Sequence, residues 1–183
     1  SSSYREYIVM KSVPLKNLIS VANKYSSNSY AEQILRTVGL RVYGFGSIYN
    51  SQKVLNDFVK RLFGEYYPFK LNDACGLSTY NLLTPYMLAQ TLVYAYKNHN
   101  GFNGFISTLA TAGKEGTMEG RLKDITAYAK TGTLQKVSNI AGIMITKTGK
   151  RVAFCIMVNN FITPTYVVTA YHDEIIRYVW NNY

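Results

Sequence analysis

The chain has 183 residues, of which 48% are hydrophobic and 16% charged, a balance that excludes a disordered chain and suits one domain with a sizeable core. Its 20 basic and 10 acidic residues give a formal charge of +10, but the cations form no run of five, so the excess does not argue for a nucleic-acid partner. No apolar run approaches the roughly 18 residues of a membrane span, and the chain is expected to be soluble. The opening SSSYREYIVMKSVPL puts polar residues where a secretory leader needs an apolar core, so no leader is read there.

The first predicted element is a strand over Tyr4 to Met10, followed by Ser12 as a helix cap and Pro14 in the first turn. Leu15, Leu18, Ile19 and Ala22 recur at helical spacing, which predicts a helix to about Lys24. The polar stretch Tyr25 to Asn28 interrupts it, with Asn28 placed to cap a second helix that turns Ala31, Ile34, Leu35 and Val38 inward and stops at Gly39. Val54, Leu55, Phe58, Val59, Leu62 and Phe63 mark a third helix ending at Gly64. Asn72 to Gly76 is turn-forming, and Thr84-Pro85 opens a fourth helix through Met87, Leu88, Leu92 and Ala95.

After a glycine-rich loop from Gly113 to Gly120 the period changes. Ile125–Thr133, Asn139–Thr146 and Arg151–Asn159 read as strands, with Lys147 to Lys150 as a hairpin turn between the last two. A final helix runs from about Tyr166 to Asn182. Leading helices, then an antiparallel three-stranded unit, then a closing helix make an α+β pattern, read as one domain over 1–183.

Cys75 and Cys155 stand far apart without CxxC spacing; their number allows a disulfide, and nothing in the spacing demands one. His99 and His172 have no metal-ligand spacing either, so no metal and no cofactor are expected.

Two short patterns carry chemistry. Ser26-Ser27-Asn28 lies in the polar break between two helices, and Lys130-Thr131-Gly132 lies on a strand with Thr133 next to it. Taken alone, the first is a helix cap and the second an ordinary strand with an exposed lysine. A second copy, Lys147-Thr148-Gly149, falls in a hairpin turn and needs no function. Together, in this order and in these kinds of element, they match the S-x-N and K-T-G elements of penicillin-recognising serine enzymes.

The flanks resemble one branch of those enzymes. SSNSYAEQILRTVG is similar to the S-D-N-x-x-A-E-x-x-L-R-x-x-G block of the D-alanyl-D-alanine carboxypeptidase/endopeptidases, the class C low-molecular-mass penicillin-binding proteins. NDACGLSTYNLLTP resembles their D-G-S-G-L-S-x-x-N-x-x-T-P block. AGKEGTMEGRL and AKTGTLQKVSNIAGIM resemble A-G-x-D-G-T-L and A-K-T-G-T-L-x-x-V-x-x-L-A-G. The likeness runs from about Ser12 to Asn159. Ser27 replaces the usual Asp, and Ala74 and Cys75 replace Gly and Ser. The larger departure is that no serine here is followed three residues later by lysine, the S-x-x-K that bears the family's nucleophile.

The resemblance implies a serine DD-peptidase/β-lactamase-like α+β fold whose N-terminal part, with the nucleophile, lies upstream. The intact protein would be a serine-type D-Ala-D-Ala carboxypeptidase, and in part an endopeptidase, acting outside the cytoplasm on peptidoglycan stem peptides. It would react covalently with β-lactams only when joined to that nucleophile, and the present chain alone would be inactive. By the same resemblance Ser26 relays a proton, Asn28 holds the substrate backbone, and Lys130 attracts the substrate carboxylate. Thr131 and Thr133 bond that carboxylate, Gly132 lets substrate lie close, and the Thr133 N–H forms half of an oxyanion hole. The apolar strand Arg151–Asn159 would need cover from the upstream part or from a dimer partner. A β-lactamase and a catalytically silent wall- or partner-binding domain of the same fold are the competing readings.

Overall fold

A computed structural model describes residues 10–65 and 67–183. The strand expected over Tyr4 to Met10 lies outside the described residues except for Met10, which is irregular. Four helices come first: α1 (Leu15–Tyr25), α2 (Asn28–Tyr43), α3 (Ile48–Phe63) and α4 (Pro85–Asn98). Strands β1 (Ala110–Thr111), β2 (Ala127–Leu134), β3 (Val137–Ile145) and β4 (Arg151–Asn159) follow, and α5 (Thr165–Asn182) closes the chain.

Among the described residues the strands form one antiparallel sheet in the order β1-β2-β3-β4, which adds β1 to the three strands expected after Gly120. β1 escapes a periodicity reading because two residues are too few to show alternation. Side chains alternate across the sheet with period two, and the two sets build separate cores. Ala127, Ala129, Ile140 and Met144 face α5, where they pack with Ile176, Ala110 and Met118. Tyr128 and Ile143 face the other way, onto Leu92 of α4, onto Ile106 of a 3-10 turn and onto Leu109 just after it. The sheet is therefore sandwiched between α4 and α5.

Several boundaries depart from the sequence expectation, each for a local reason. Ser12 does not cap α1: Pro14 holds that position and the Ser12 hydroxyl donates to the neighbouring carbonyl of Val13. Asn28 is not the cap of α2 but its first residue, with Ser27 in the cap position. Gly39 does not stop α2. A Cβ there would lie 2.5 Å from Ser51 Oγ, so the glycine serves the close crossing of α2 and α3, where buried Ser51 donates to Leu35 O at 2.7 Å. The helix ends instead at Gly44, in the left-handed conformation with φ 73°. α3 begins at Ile48, before its first predicted apolar pair, because Ser47 accepts from Asn50 N and starts it early.

α5 carries His172, which is 1% exposed; its Nε2 has no hydrogen-bond partner among the described residues. Burial, then the nearby Arg121 guanidinium, holds the His172 pKa below the usual imidazole value of 6.5, while Asp173 opposes the shift. The folded state therefore keeps the ring neutral, while the unfolded chain takes up a proton as pH falls through about 6.5. Stability that is fully present above that pH is expected to decline between pH 7 and 5, as read by denaturant midpoints. His172→Leu is expected to flatten that slope; an unchanged slope would remove His172 as its cause.

Candidate active site

The break between α1 and α2 is held in a conformation that few residues adopt. Ser26 ends α1 in the left-handed region at φ 54°, ψ 42°, which costs a non-glycine residue about 1–2 kcal/mol. Such a residue persists only where its surroundings fix it. Here they direct the Ser26 side chain at β2: Lys130 Nζ lies 2.5 Å from Ser26 Oγ, across 104 residues of sequence. Lys130 Nζ also donates to Thr131 O at 2.5 Å, and burial pushes its ammonium below the usual lysine range.

The sheet explains why the lysine strand is accessible. β1 pairs only with Tyr128 and Ala129, so beyond them, among the described residues, β2 has a neighbour on the β3 side alone. Thr131 is half-buried, and Gly132 and Thr133 are exposed along this uncovered edge. An edge strand of this kind can accept an extended peptide through its backbone groups. Asn28 opens α2 two residues beyond Ser26 and is exposed. The structure thus brings Ser26 and Lys130 into contact, with the Thr131–Thr133 edge following Lys130 along β2, whereas the Asn28 side chain makes no hydrogen bond to either among the described residues.

The second K-T-G copy lies elsewhere. Lys147 Nζ sits 4.6 Å from the centre of the Trp180 ring, its backbone N–H donates to Trp180 O, and Thr148 Oγ1 donates to Tyr183 O. The Lys147 turn clips the end of α5 onto the sheet.

Residues that sequence reasoning did not single out hold the site's frame. Glu32 Oε1 accepts from the backbone N–H groups of Ala74 and Cys75, at 2.7 and 3.0 Å. Asp73 accepts from Gly76 N, Ser78 N and Asn81 Nδ2; burial, the largest single influence, pushes its carboxyl up, but these bonds together hold it below the usual range. The turn is thus fastened to α2 through its backbone, which is why Cys75 can replace a serine there. Both cysteines are free and half-buried, and burial pushes the Cys155 thiol up to about 11. Glu115 ion-pairs with Lys24 at 2.8 Å, just before Ser26. The one available signal was that Glu32 and Asp73 match the acids of the family-like blocks, while Glu115 stands where its block has Asp.

A lysine strand at the open edge of an antiparallel sheet, facing a serine in a break between helices, defines the class of penicillin-recognising serine enzymes. Within it, the chain belongs to the D-Ala-D-Ala carboxypeptidase 3 (S13) family, which it matches over residues 2–178. It is 29% identical over 161 residues to the D-alanyl-D-alanine carboxypeptidase DacB of Haemophilus influenzae, covering 83% of this chain and 33% of that protein. The crystal structure of penicillin-binding protein 4 (dacB) from Haemophilus influenzae, complexed with a β-lactam, superposes with a TM-score of 0.80 at 26% identity. That match covers 92% of this chain and 42% of the other. The TLA-3 extended-spectrum β-lactamase shares the fold, with a TM-score of 0.68 at 20% identity over 92% of this chain and 64% of that one. The chain therefore spans well under half the length of the DacB relatives it matches. No helix among the described residues is long and apolar enough to cross a membrane.

Proposed function

We propose that this chain is the substrate-anchoring and proton-relay part of a serine-type D-Ala-D-Ala carboxypeptidase that acts on peptidoglycan peptides outside the cytoplasm. The observation that carries the reading is the contact of Lys130 Nζ with Ser26 Oγ beside an open strand edge. In acyl transfer an upstream serine attacks the carbonyl between two D-alanines, an oxyanion develops, and the leaving amine takes a proton. Ser26 suits the relay because its hydroxyl both donates and accepts, and the adjacent ammonium orients it. Lys130 supplies positive charge for the substrate's terminal carboxylate, with the Thr131 and Thr133 hydroxyls as further donors. Gly132 presents no side chain, so an extended peptide can lie against β2. The Thr133 N–H would then serve as one oxyanion donor.

The same reading makes the chain inactive by itself, since the nucleophile and the other oxyanion donor come from an upstream S-x-x-K segment. That segment would also cover β4, which pairs only with β3 among the described residues and carries half-buried Val152, Phe154 and Ile156. The absence of S-x-x-K from these 183 residues also favours a second reading, a silent binding domain of this fold.

The experiment is Ser26→Ala in the nucleophile-bearing protein. Losing a general acid–base relay is expected to slow acylation by a β-lactam about 10²- to 10⁴-fold. Wild-type acylation by that variant would remove Ser26 from the mechanism.

A further inference from the structure

Ser26 and Lys130 belong to elements far apart in sequence, and one side chain joins the two ends. We propose that Glu115 is a positioning residue for this pair, holding the end of α1 onto β1 and thereby setting where Ser26 meets Lys130. The inference rests on the reading of Ser26 and Lys130 as catalytic partners.

Glu115 Oε1 receives two bonds, from Lys24 Nζ at 2.8 Å and from Thr111 Oγ1 at 3.0 Å. Lys24 lies in the last turn of α1, two residues before Ser26. Thr111 lies on β1 and is paired in register with Tyr128 of β2, two residues before Lys130. One carboxylate oxygen therefore links the helix end that presents the hydroxyl to the strand that presents the amine.

A second contact grips the same helix end through backbone. Gly116, next to Glu115, sits at φ 58° against the Lys24 carbonyl, where a Cβ would lie 2.2 Å from the oxygen. Only a glycine permits that approach at that conformation. The loop thus holds Lys24, two residues before the left-handed Ser26, by side chain and main chain together.

The side chains of Lys24 and Glu115 are 19% and 32% exposed, so the pair is screened less than a surface pair. The carboxyl is held below its usual range, first by the bond from Lys24, against a smaller opposing effect of burial. The carboxylate is ionised throughout the neutral range. Its geometry, not its titration, does the positioning.

The test is Glu115→Gln, which removes the charge but keeps an acceptor for Thr111. In the isotope-labelled 183-residue chain, the Ser26 amide and Lys130 side-chain NMR resonances are followed with Ser26→Ala as a second background. The expected result is a shift of both resonances in Glu115→Gln, with no further Lys130 shift when it is added to Ser26→Ala. In the nucleophile-bearing protein the same substitution is expected to slow acylation about tenfold by misplacing Ser26, with noncovalent binding of the β-lactam retained. Lys24→Met cuts the same link from the other side and should give the same pattern, should Glu115→Gln fold poorly. Glu115→Asp, which keeps the charge, should restore part of the shift.

Resonances of Ser26 and Lys130 left unmoved while that of Lys24 moves would overturn the proposal. So would a Lys130 shift of equal size in both backgrounds. The catalytic reading fails on a different result, wild-type acylation by Ser26→Ala.

Discussion

Lys130→Ala, in the nucleophile-bearing protein, is expected to slow acylation by β-lactams about 10²-fold, the scale of a lost charged hydrogen bond near 3 kcal/mol. Lys147→Ala, at the same tripeptide, is expected to leave the rate within about twofold, because an exposed cation over a ring contributes little. The contrast follows from geometry. Lys130 reaches Ser26 Oγ, whereas Lys147 lies over Trp180 at the end of α5. Acylation rates with a fluorescent penicillin, at matched protein stability, check the pair. Equal loss from both substitutions would refute the assignment of Lys130.

The largest effect on stability is expected at Ile140. It is 1% exposed, lies in the central strand β3 and is paired in register with Thr131 of the lysine strand. Ile140→Ala removes its contacts and leaves a cavity beneath that strand, which should cost about 2–5 kcal/mol. Denaturant unfolding of the variant reads that loss. A cost well under 1 kcal/mol would mean that this core collapses around the gap. Thr131 faces the same pair of strands, so partial unfolding here should also loosen the site.

Much of this was legible in the sequence because period and order carry it. The β-type apolar runs Asn139–Thr146 and Arg151–Asn159 announced strands, and the apolar spacing of Leu55, Phe58, Val59 and Leu62 announced α3, although the runs did not tell that both faces of the sheet bury a core. The site residues were marked by motif order, not by any property of a single tripeptide. What the sequence hid depends on three-dimensional proximity. Gly39 reads as a helix stop, yet it makes room for Ser51 on the next helix. Ser26 reads as part of a polar linker, and nothing local signals its left-handed backbone. Glu115 reads as a loop acid, since its partners Lys24 and Thr111 meet it only after the sheet has formed. β1 is too short to have a pattern at all.

The central claim is that this chain anchors substrate and relays protons for a nucleophile supplied by an upstream segment. The most direct measurement treats the 183-residue chain with a fluorescent penicillin, alone and after reassembly with a separately made upstream part bearing S-x-x-K. The account predicts no covalent label on the chain alone, and label on the upstream serine once the two parts have joined. Covalent labelling of the isolated chain at a serine would contradict it, as would a correctly reassembled pair that takes up no label.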